Sequence, residues 1–371
     1  MKIDRFEMER FQSTWENTVR YNLSESGIHP LTLAGLVDHS WVQEVLSHEP
    51  LGYGYTNGSE ALRREIAGLH HGAGYENVLV TSGTAEANFL TTWALLEPGD
   101  EAVVMLPNYM QVPLLVRGWA AAVQEWWLHR DNGRWAPRAE ELDRLVTPRT
   151  KAIFVCNPNN PTGAVLSVEA MNAVCDAADR VNAWVVADEV YRGAERDNHV
   201  TPSFWDRYPK VVVTGGLSKA YGLPGLRIGW ILAPHDLVET LWAHHDYTTI
   251  APAFLSDRLA LAALTPRTRQ RLLLRTQQIM TENLNLLTAW AADLEEEISW
   301  VPPQAGAIAF FRYRAAVNSS QLAERLRKEE SVLVVPGDHF KMDGHFRLGF
   351  GVEQHTLEEG LSRIGHLLRS L

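Results

Sequence analysis

Hydrophobic positions in the first two thirds of the chain alternate between short apolar runs and segments with the helical repeat. The runs are mostly bounded by Gly, Pro or Asn and followed by roughly 10–20 residues of helical periodicity, which predicts strands and helices in turn. The predicted strands are residues 77–81, 101–106, 151–157, 183–188, 211–214 and 227–233. This alternation is typical of βαβ units, so we expect a largely parallel sheet with helices on both faces.

The pattern changes near residue 253. Residues 257–294 form one long helical stretch, or two in succession, and residues 356–368 predict a final amphipathic helix. Between them lie three runs that predict strands, at residues 307–312, 332–335 and 345–350. Helices beside a small sheet indicate an α+β C-terminal domain.

Three regions are therefore expected. Residues 46–252 form a large domain and residues 253–371 a small one. Residues 1–45 begin with a polar helix and continue through SESGIHPLTL, a loop with a Gly and an X-Pro boundary. We expect this N-terminal part to be an arm or lid that packs with the small domain.

Composition restricts the class of protein. The chain has 371 residues, of which 46% are hydrophobic and 21% charged, a normal globular balance. A net charge of −11 argues against a nucleic-acid partner, and no apolar run is long enough to span a bilayer. The start, MKIDRFEMERFQ, lacks the apolar core of a signal peptide. Two cysteines, Cys156 and Cys175, provide neither a disulfide framework nor a cysteine-rich metal site, so we expect a cytoplasmic enzyme without a metal.

The segment GGLSKAYGLPGLRIGW, residues 215–230, carries the most informative chemistry. Lys219 follows a predicted strand, and a lysine desolvated in a pocket at such a strand end is neutral often enough to form a Schiff base. Arg227, eight residues later, offers a fork of donors to a phosphate. The alternative is an ordinary surface lysine on a loop.

Two further strand ends point to an anion and to a phenolate. In TSGTAEAN, residues 81–88, Gly83 and Thr84 begin a predicted helix, whose N-terminal N–H groups bind anions. The alternative there is an ordinary N-cap by Ser82 or Thr84. In NPNNPTG, Asn160 is placed to donate to a phenolate oxygen, although a simple turn also explains the segment.

Two more strand ends point to an aromatic ring. In VVADEVYRG, Asp188 ends a strand that reads as buried, where a carboxylate needs a cation such as a protonated pyridine nitrogen. Tyr191, three residues on, can reach the same ring. A metal ligand or a helix cap are the competing interpretations of Asp188. In LPNYMQ, Tyr109 provides an aromatic plate or ordinary core packing.

A phosphate cradle, a carboxylate for a ring nitrogen, a phenolate donor, a stacking ring and a Schiff-base lysine together describe pyridoxal phosphate. The chain resembles the pyridoxal-phosphate-dependent aminotransferases of fold type I over essentially its whole length. The resemblance implies an α/β fold whose large domain holds a mostly parallel seven-stranded sheet and the cofactor. It implies that Lys219 forms the Schiff base. Cofactor contacts are expected from Tyr53, Ser82, Gly83, Thr84, Tyr109, Asn160, Asp188, Tyr191, Ser218, Lys219 and Arg227.

The resemblance also implies a homodimer with active sites at the interface. Tyr53 resembles the tyrosine that reaches the neighbouring subunit's phosphate, and Arg347 resembles the arginine that binds the α-carboxylate of an amino-acid substrate. The chain departs from the family at Gly216, where a Ser or Thr is usual three residues before the lysine. One phosphate contact is therefore either missing or supplied by Thr214.

The N-terminal segment is similar to two groups of relatives that handle arginine. Residues 24–29, SESGIH, resemble capreomycidine synthases, which cyclise a hydroxylated arginine. Trp15 and Glu16, followed by His29, resemble the O₂-using arginine oxidases and hydroxylases. The second resemblance implies that Glu16 binds the guanidinium, that His29 is an acid and base, and that Thr14 assists. Without it, Glu16 lies on a solvated helix face and His29 in a turn.

The shared cofactor residues do not separate the possible reactions of the carbanion, drawn as a quinonoid, that follows α-proton removal. An L-arginine oxidase or hydroxylase that uses O₂ is the favoured expectation. The alternatives are a class I or II aminotransferase and a capreomycidine- or enduracididine-type cyclase acting on a hydroxyarginine. A non-catalytic cofactor-binding module is disfavoured because Lys219, Asp188 and Arg347 are all present.

Overall fold

The fold combines a central sheet, a small C-terminal sheet and an N-terminal segment joined to the latter. The computed structural model describes residues 2–50, 52–119, 121–196 and 199–371. The N-terminal elements are α1 (Glu7–Trp15), β1 (Tyr21–Asn22), α2 (Leu33–Leu36), α3 (His39–His48) and α4 (Glu60–Ala67). The central elements are β2 (Val78–Thr81), α5 (Thr84–Leu95), β3 (Glu101–Leu106), α6 (Gln111–Gly118), β4 (Ala122–Asp131), β5 (Arg134–Pro137), α7 (Ala139–Leu145), β6 (Thr150–Cys156), α8 (Val168–Arg180), β7 (Trp184–Asp188), β8 (Val211–Gly216), β9 (Gly229–Leu232) and α9 (His235–His245). The C-terminal elements are α10 (Phe254–Leu264), α11 (Pro266–Ala292), β10 (Ile298–Trp300), β11 (Ile308–Tyr313), α12 (Ser319–Glu330), β12 (Val332–Leu333), β13 (Val335–Pro336), β14 (His345–Gly349) and α13 (Gln354–Arg369).

The central sheet has eight strands in the order β2-β9-β8-β7-β6-β3-β4-β5. Neighbours from β8 to β4 are parallel, whereas β9 runs antiparallel to β2 and β8, and β5 returns antiparallel along β4. The predicted α/β fold is confirmed, with one strand more than the expected seven. The central strands β3, β6 and β8 are almost wholly buried, which agrees with a parallel sheet covered on both faces.

Parallel strands bring their carboxyl ends to one edge of the sheet, where α/β proteins bind ligands. Strand β7 ends at Asp188 and β8 ends three residues before Lys219. Strands β3 and β6 end just before Tyr109 and Asn160. The fold therefore places these four side chains along the same edge.

The C-terminal part contains a four-stranded antiparallel sheet in the order β10-β11-β14-β13. In the N-terminal segment, β1 pairs in parallel with β12 to form a separate two-stranded sheet. The same segment joins the four-stranded sheet through Gly349 of β14. The backbone N–H of Leu23 donates to the carbonyl of Leu333 (2.9 Å), and that of Gly349 donates to the carbonyl of Leu23 (2.8 Å). The divisions at residues 45/46 and 252/253 stay predictions.

Some predicted elements differ in detail from the structure. The stretch 257–294 is two helices, because Pro266 begins α11 immediately after α10. The run 332–335 divides into β12 and β13, which lie in different sheets. Strands β1, β4, β5 and β10 were not predicted, and β4 is half-exposed along much of its length, which weakens its apolar signal.

A helix that crosses a membrane must be both long and apolar. Among the described residues, no helix combines enough length with enough apolar character to cross a membrane.

Candidate active site

A cavity of about 380 Å³ opens at the carboxyl edge of the central sheet, under the N-terminal segment. Strand ends form its floor, the start of α5 and Arg227 form one side, and Arg347 of β14 forms another. The sequence-predicted residues that line it are Glu16, Thr84, Tyr109, Asn160, Asp188, Tyr191, Ser218, Lys219, Arg227 and Arg347. The tertiary structure thus assembles most of the predicted site.

Lys219 lies in this cavity in the loop after β8. Burial lowers the pKa of its amine from the ordinary value, and the nearby carboxylate of Glu25 acts in the opposite direction. A Cβ on Gly27 would stand 3.6 Å from Cδ of Lys219, so the N-terminal segment packs against the lysine stem. The lowered pKa increases the fraction of neutral amine, the form that reacts with an aldehyde.

Asp188 is supported by a chain of polar side chains behind it. Its Oδ1 accepts the backbone N–H of Val190 (3.0 Å), and its Oδ2 accepts Nδ2 of Asn88 (3.3 Å). The hydroxyl of Thr214 in turn donates to Oδ1 of Asn88 (3.0 Å). Burial raises the pKa of Asp188, and the two donated hydrogen bonds oppose that rise. The carboxylate lines the cavity, where it is suited to pair with a bound cation.

Asn88 was missed as a functional residue. An asparagine among the apolar residues of α5 was its only sequence signal. The hydrogen bond between Thr214 and Asn88 also corrects the suggestion that Thr214 supplies a phosphate contact. Thr214 is fully buried, and its hydroxyl donates to Asn88.

The start of α5 and Arg227 form a cradle for an anion. Gly83 has a φ of +87°, and a Cβ there would collide with Nη2 of Arg227, so glycine lets the guanidinium approach the helix N-terminus. The hydroxyl of Thr84 donates to the carbonyl of Gly215 (3.0 Å). A Cβ on Gly216 would stand 2.6 Å from that hydroxyl, so a larger residue at 216 would displace Thr84.

Ser82 faces away from this cradle. Its hydroxyl donates to Thr249 (3.1 Å), its backbone N–H donates to Glu86 (2.6 Å), and it does not line the cavity. The Ser82 hydroxyl is therefore engaged outside the cavity, and its contact with the cofactor stays a prediction. Its physical role is to fix the first turn of α5.

The remaining cavity groups suit an aromatic ring with a phenolate. The Tyr191 hydroxyl is buried and has no hydrogen-bond partner among the described residues, and burial raises its pKa. Asn160 accepts Nη1 of Arg347 on its Oδ1 (3.0 Å), which leaves its amide N–H groups to donate elsewhere. Tyr109 donates to Glu9 (2.7 Å), and burial raises its pKa well above the ordinary value. An unpartnered phenol, a supported carboxylate and an anion cradle fit pyridoxal phosphate.

Arg347 is almost fully buried beside the cavity. Its Nη2 donates to the carbonyl of Ser24 (2.5 Å), and its guanidinium lies 5.6 Å from the ring centre of Phe340. Its Nε is buried without a partner among the described residues. A buried cation with a spare donor is suited to bind a carboxylate.

Thr14, His29 and Tyr53 also lie outside the cavity. Thr14 donates back to the carbonyl of Arg10 (2.5 Å) on the exposed side of α1. His29 lies behind the lysine loop, where its Nδ1 is 3.0 Å from Nη2 of Arg275. Tyr53 is 91% exposed. Neither Thr14 nor His29 lines this cavity, and their roles toward a substrate stay predictions.

The N-terminal segment also contributes two carboxylates that sequence reasoning missed. Glu9 and Glu25 line the cavity together with Glu16. The seven-residue spacing of Glu9 and Glu16, two helical turns, was a signal that both lie on one face. Among the described residues, no group of three or more His, Cys, Asp or Glu is arranged to hold a metal ion.

Comparison with known families gives a match to aminotransferase class I and II over residues 33–364. Among curated proteins, the chain is 32% identical over 358 residues to capreomycidine synthase of Streptomyces vinaceus. This match covers 94% of the present chain and 89% of the synthase.

Solved structures share the whole fold. A pyridoxal-phosphate-dependent aminotransferase from Streptococcus suis is 34% identical, with a TM-score of 0.94, and the match covers 100% of this chain and 99% of that one. The pyridoxal-phosphate-dependent cyclase OrfR is 29% identical, with a TM-score of 0.89, covering 100% and 98%.

Proposed function

Because the chain belongs to the aminotransferase class I and II family, whose cofactor is pyridoxal phosphate, we propose that it cyclises a hydroxylated guanidino amino acid. One observation carries the proposal: the N-terminal segment places the Glu16 carboxylate in the cavity that holds Lys219 and Arg347. An amino acid with a cationic side chain has complementary groups at both ends of such a cavity. The whole-length relatives named as a capreomycidine synthase and a cyclase support the reaction type.

Each cavity group has a role in this proposal. Arg227 and the N-terminus of α5 would hold the phosphate of the cofactor, and Asp188 would keep a proton on the pyridine nitrogen. Asn160 and Tyr191 would hold the ring hydroxyl, and Tyr109 would provide an aromatic contact to the ring. When bound, the cofactor supplies an electron sink that weakens the bonds at the substrate Cα.

The protein's own residues then direct the reaction. Arg347 binds the α-carboxylate, and the neutral Lys219 amine accepts the α-proton. The Cβ–O bond of the hydroxylated substrate breaks, and its oxygen leaves as water. The departing oxygen takes up the proton held by Lys219. A guanidino nitrogen, held near Cβ by Glu16, forms the new C–N bond, and the proton that it releases returns to Cα. The net change is the loss of one water, with no oxidant consumed.

The test compares L-arginine with 3-hydroxy-L-arginine, with and without a keto acid. We expect the hydroxylated substrate to lose one water and give a cyclic guanidine, with no need for a keto acid or oxygen. Amino transfer to the keto acid without cyclisation would contradict the proposal and identify an aminotransferase, the second candidate, which the name of the Streptococcus suis relative favours.

The oxidase or hydroxylase expectation stays a prediction. Oxygen uptake with L-arginine, measured in an oxygen electrode without a keto acid, tests it directly. Uptake in the absence of any cyclic product from hydroxyarginine would replace the cyclase proposal with an arginine oxidase.

We also propose that the enzyme is a homodimer whose subunits complete each other's sites. Tyr53 is 91% exposed and Tyr247 80% exposed, although both are large aromatic side chains. The loop that carries Tyr53 is anchored through Thr56, whose hydroxyl accepts Nε1 of Trp242 (2.9 Å). A fixed loop that presents an exposed tyrosine is suited to reach the cradle of a second copy.

A further inference from the structure

We propose that Glu25 is a second carboxylate that binds the substrate guanidinium, beside Glu16. The inference rests on the proposed function, because it needs a guanidino substrate. Both carboxylates line the same cavity, but they come from different parts of the N-terminal segment. Glu16 follows the last residue of α1, whereas Glu25 lies after β1, in the part of the segment that is bonded to the small sheet.

The backbone at Glu25 is held firmly by the small sheet. The N–H of Gly349 donates to the carbonyl of Leu23 (2.8 Å), and the N–H of His29 donates to the carbonyl of Gly351 (2.7 Å). A Cβ on Gly349 would collide with the carbonyl of Glu25, so the two chains approach as closely as only glycine allows. Glu25 is thus presented from a fixed wall.

Glu16 is presented by a helix that is docked through side chains. Nε2 of Gln12 donates to the carbonyl of Ser24 (3.0 Å), which joins α1 to the segment that carries Glu25. The guanidinium of Arg327 lies 3.8 Å from the ring centre of Trp15. These contacts bring the Glu16 carboxyl within hydrogen-bonding reach of the Glu25 side chain, so the two form an adjacent pair in the cavity wall.

The positive groups near this pair have other partners in the proposed function. Lys219 reacts with the cofactor aldehyde; burial lowers its pKa, and the Glu25 charge acts in the opposite direction. Glu9 already accepts the Tyr109 hydroxyl. Arg347 is committed to the substrate α-carboxylate in the proposed function, and Arg227 to the cofactor phosphate. Burial raises the pKa of Glu16, and the neighbouring carboxylates of Glu25 and Glu9 raise it further. A cation placed between Glu16 and Glu25 relieves this repulsion.

A guanidinium suits two carboxylates better than an ammonium does. Its planar fork presents five N–H donors in fixed directions, so one edge can meet Glu16 while another meets Glu25. A lysine-type ammonium is a compact point charge without this geometry. The pair therefore favours arginine-like substrates over lysine-like ones.

The experiment measures binding to the holoenzyme from the change in cofactor absorbance. L-Arginine is compared with L-citrulline, which has a similar shape but a neutral side chain, for wild type, Glu25→Gln and Glu16→Gln. Glu140→Gln is the matched control, because Glu140 lies exposed on α7 and does not line the cavity. Glu25→Ala is a second variant should the glutamine perturb the cofactor site.

We expect Glu25→Gln to raise the Kd for arginine about tenfold, because a charge-assisted hydrogen bond is lost, with less than about a twofold change for citrulline. Glu16→Gln is expected to act similarly, and Glu140→Gln not at all. Wild type that binds both ligands equally would overturn the guanidino substrate itself. Wild type that prefers arginine, with the same preference retained in Glu25→Gln and Glu25→Ala, would overturn only the role of Glu25.

Discussion

At the scale of single residues, the site depends on groups whose surroundings change their ordinary chemistry. Burial lowers the pKa of the Lys219 amine and raises that of the Asp188 carboxyl, so each departs from its value in water. Both shifts have the same cause, since a poorly hydrated site disfavours the charged form. A pyridine ring bound between these two residues would share a proton with Asp188 on one side. On the other side it would meet the neutral amine of Lys219, which is a nucleophile.

Removing Lys219 tests the covalent bond to the cofactor. We expect Lys219→Ala to bind pyridoxal phosphate without any cofactor remaining attached to the protein after borohydride reduction and denaturation. Lys151→Ala, at an exposed position on β6, is the control and should retain the attached cofactor. Cofactor still attached to Lys219→Ala would show that another amine forms the imine.

Removing Asn88 tests the support behind Asp188. Asn88→Ala leaves the Thr214 hydroxyl unpaired and takes one donor from the carboxylate, so we expect the cofactor Kd to rise about tenfold. Titration of the apoenzyme with cofactor measures this. Asn172→Ala removes an exposed hydrogen bond to Arg207 and should leave the Kd unchanged. An unchanged Kd in Asn88→Ala would mean that Val190 alone orients the carboxylate.

At the scale of elements, α1 is attached to the site by only a few side chains. Phe6 meets Tyr109 edge-on, with ring centres 5.0 Å apart, and Gln12 joins the helix to Ser24. A nine-residue helix has little stability alone, so these contacts decide whether it stays docked.

Gln12→Ala should release α1 without lowering its helix propensity, because alanine is the stronger helix former. We expect amide hydrogen exchange in residues 7–15 to quicken about tenfold, together with weaker arginine binding, because Glu16 moves with the helix. Ser13→Ala, at an exposed position of the same helix, is the control. Unchanged exchange in Gln12→Ala would show that Phe6 and Trp15 suffice to hold the helix.

The end of β7 also carries a buried carboxyl that titrates near neutral pH. Glu189 accepts the N–H of Phe204 (2.8 Å) and the hydroxyl of Ser203 (3.0 Å). Burial raises its pKa to about 7, with Arg192 acting in the opposite direction. Burial lowers the pKa of the adjacent His70 to about 3, so His70 stays neutral around pH 7.

This raised pKa predicts how stability depends on pH. Because the folded-state pKa lies above the ordinary value of 4.5, the contribution of Glu189 is complete below pH 4.5 and is lost as pH rises through 7. Glu189→Gln removes this loss. We expect the free energy of unfolding of the variant, relative to wild type, to rise by about 1.4 kcal/mol per pH unit across that window. Urea unfolding of the apoenzyme at a series of pH values measures this difference, and Glu140→Gln is the control. Curves of unfolding free energy against pH that run parallel for wild type and Glu189→Gln would contradict the prediction.

At the scale of the whole molecule, the central question is whether two chains share their sites. Tyr53 lies outside the cavity of its own chain, whereas Lys219 lies inside it. If each site combines Lys219 of one subunit with Tyr53 of the other, the two variants Tyr53→Ala and Lys219→Ala damage contributions from different subunits. A mixed dimer then has one site in which both residues are intact. Mixing the two variants under conditions of subunit exchange should restore about a quarter of the wild-type activity, because half of the dimers carry one intact site. No recovery, with exchange shown by a tagged subunit, would place Tyr53 in its own chain's site or in none.

The predictable part of the fold follows from local patterns. Buried parallel strands such as β3 and β6 are continuous apolar runs, and they were recognised within a residue of their ends. Strand β4 was missed because only two of its ten positions are buried. Strand β1 is two residues long and is defined by its pairing with β12, more than 300 residues away, so no local pattern could indicate it.

By itself, the sequence determined the fold family. It also predicted the cofactor residues, since Lys219, Asp188 and Asn160 lie at strand ends within short motifs. Only the tertiary structure decided the fate of the N-terminal segment. The sequence predicted substrate roles for both Glu16 and His29. In the structure, backbone hydrogen bonds hold residues 21–29 against the C-terminal part of the chain. As a result, His29 lies next to Arg275 outside the cavity, whereas Glu25 lines it. The physical reason is that those positions depend on backbone hydrogen bonds and close glycine contacts between distant parts of the chain, which leave no local trace.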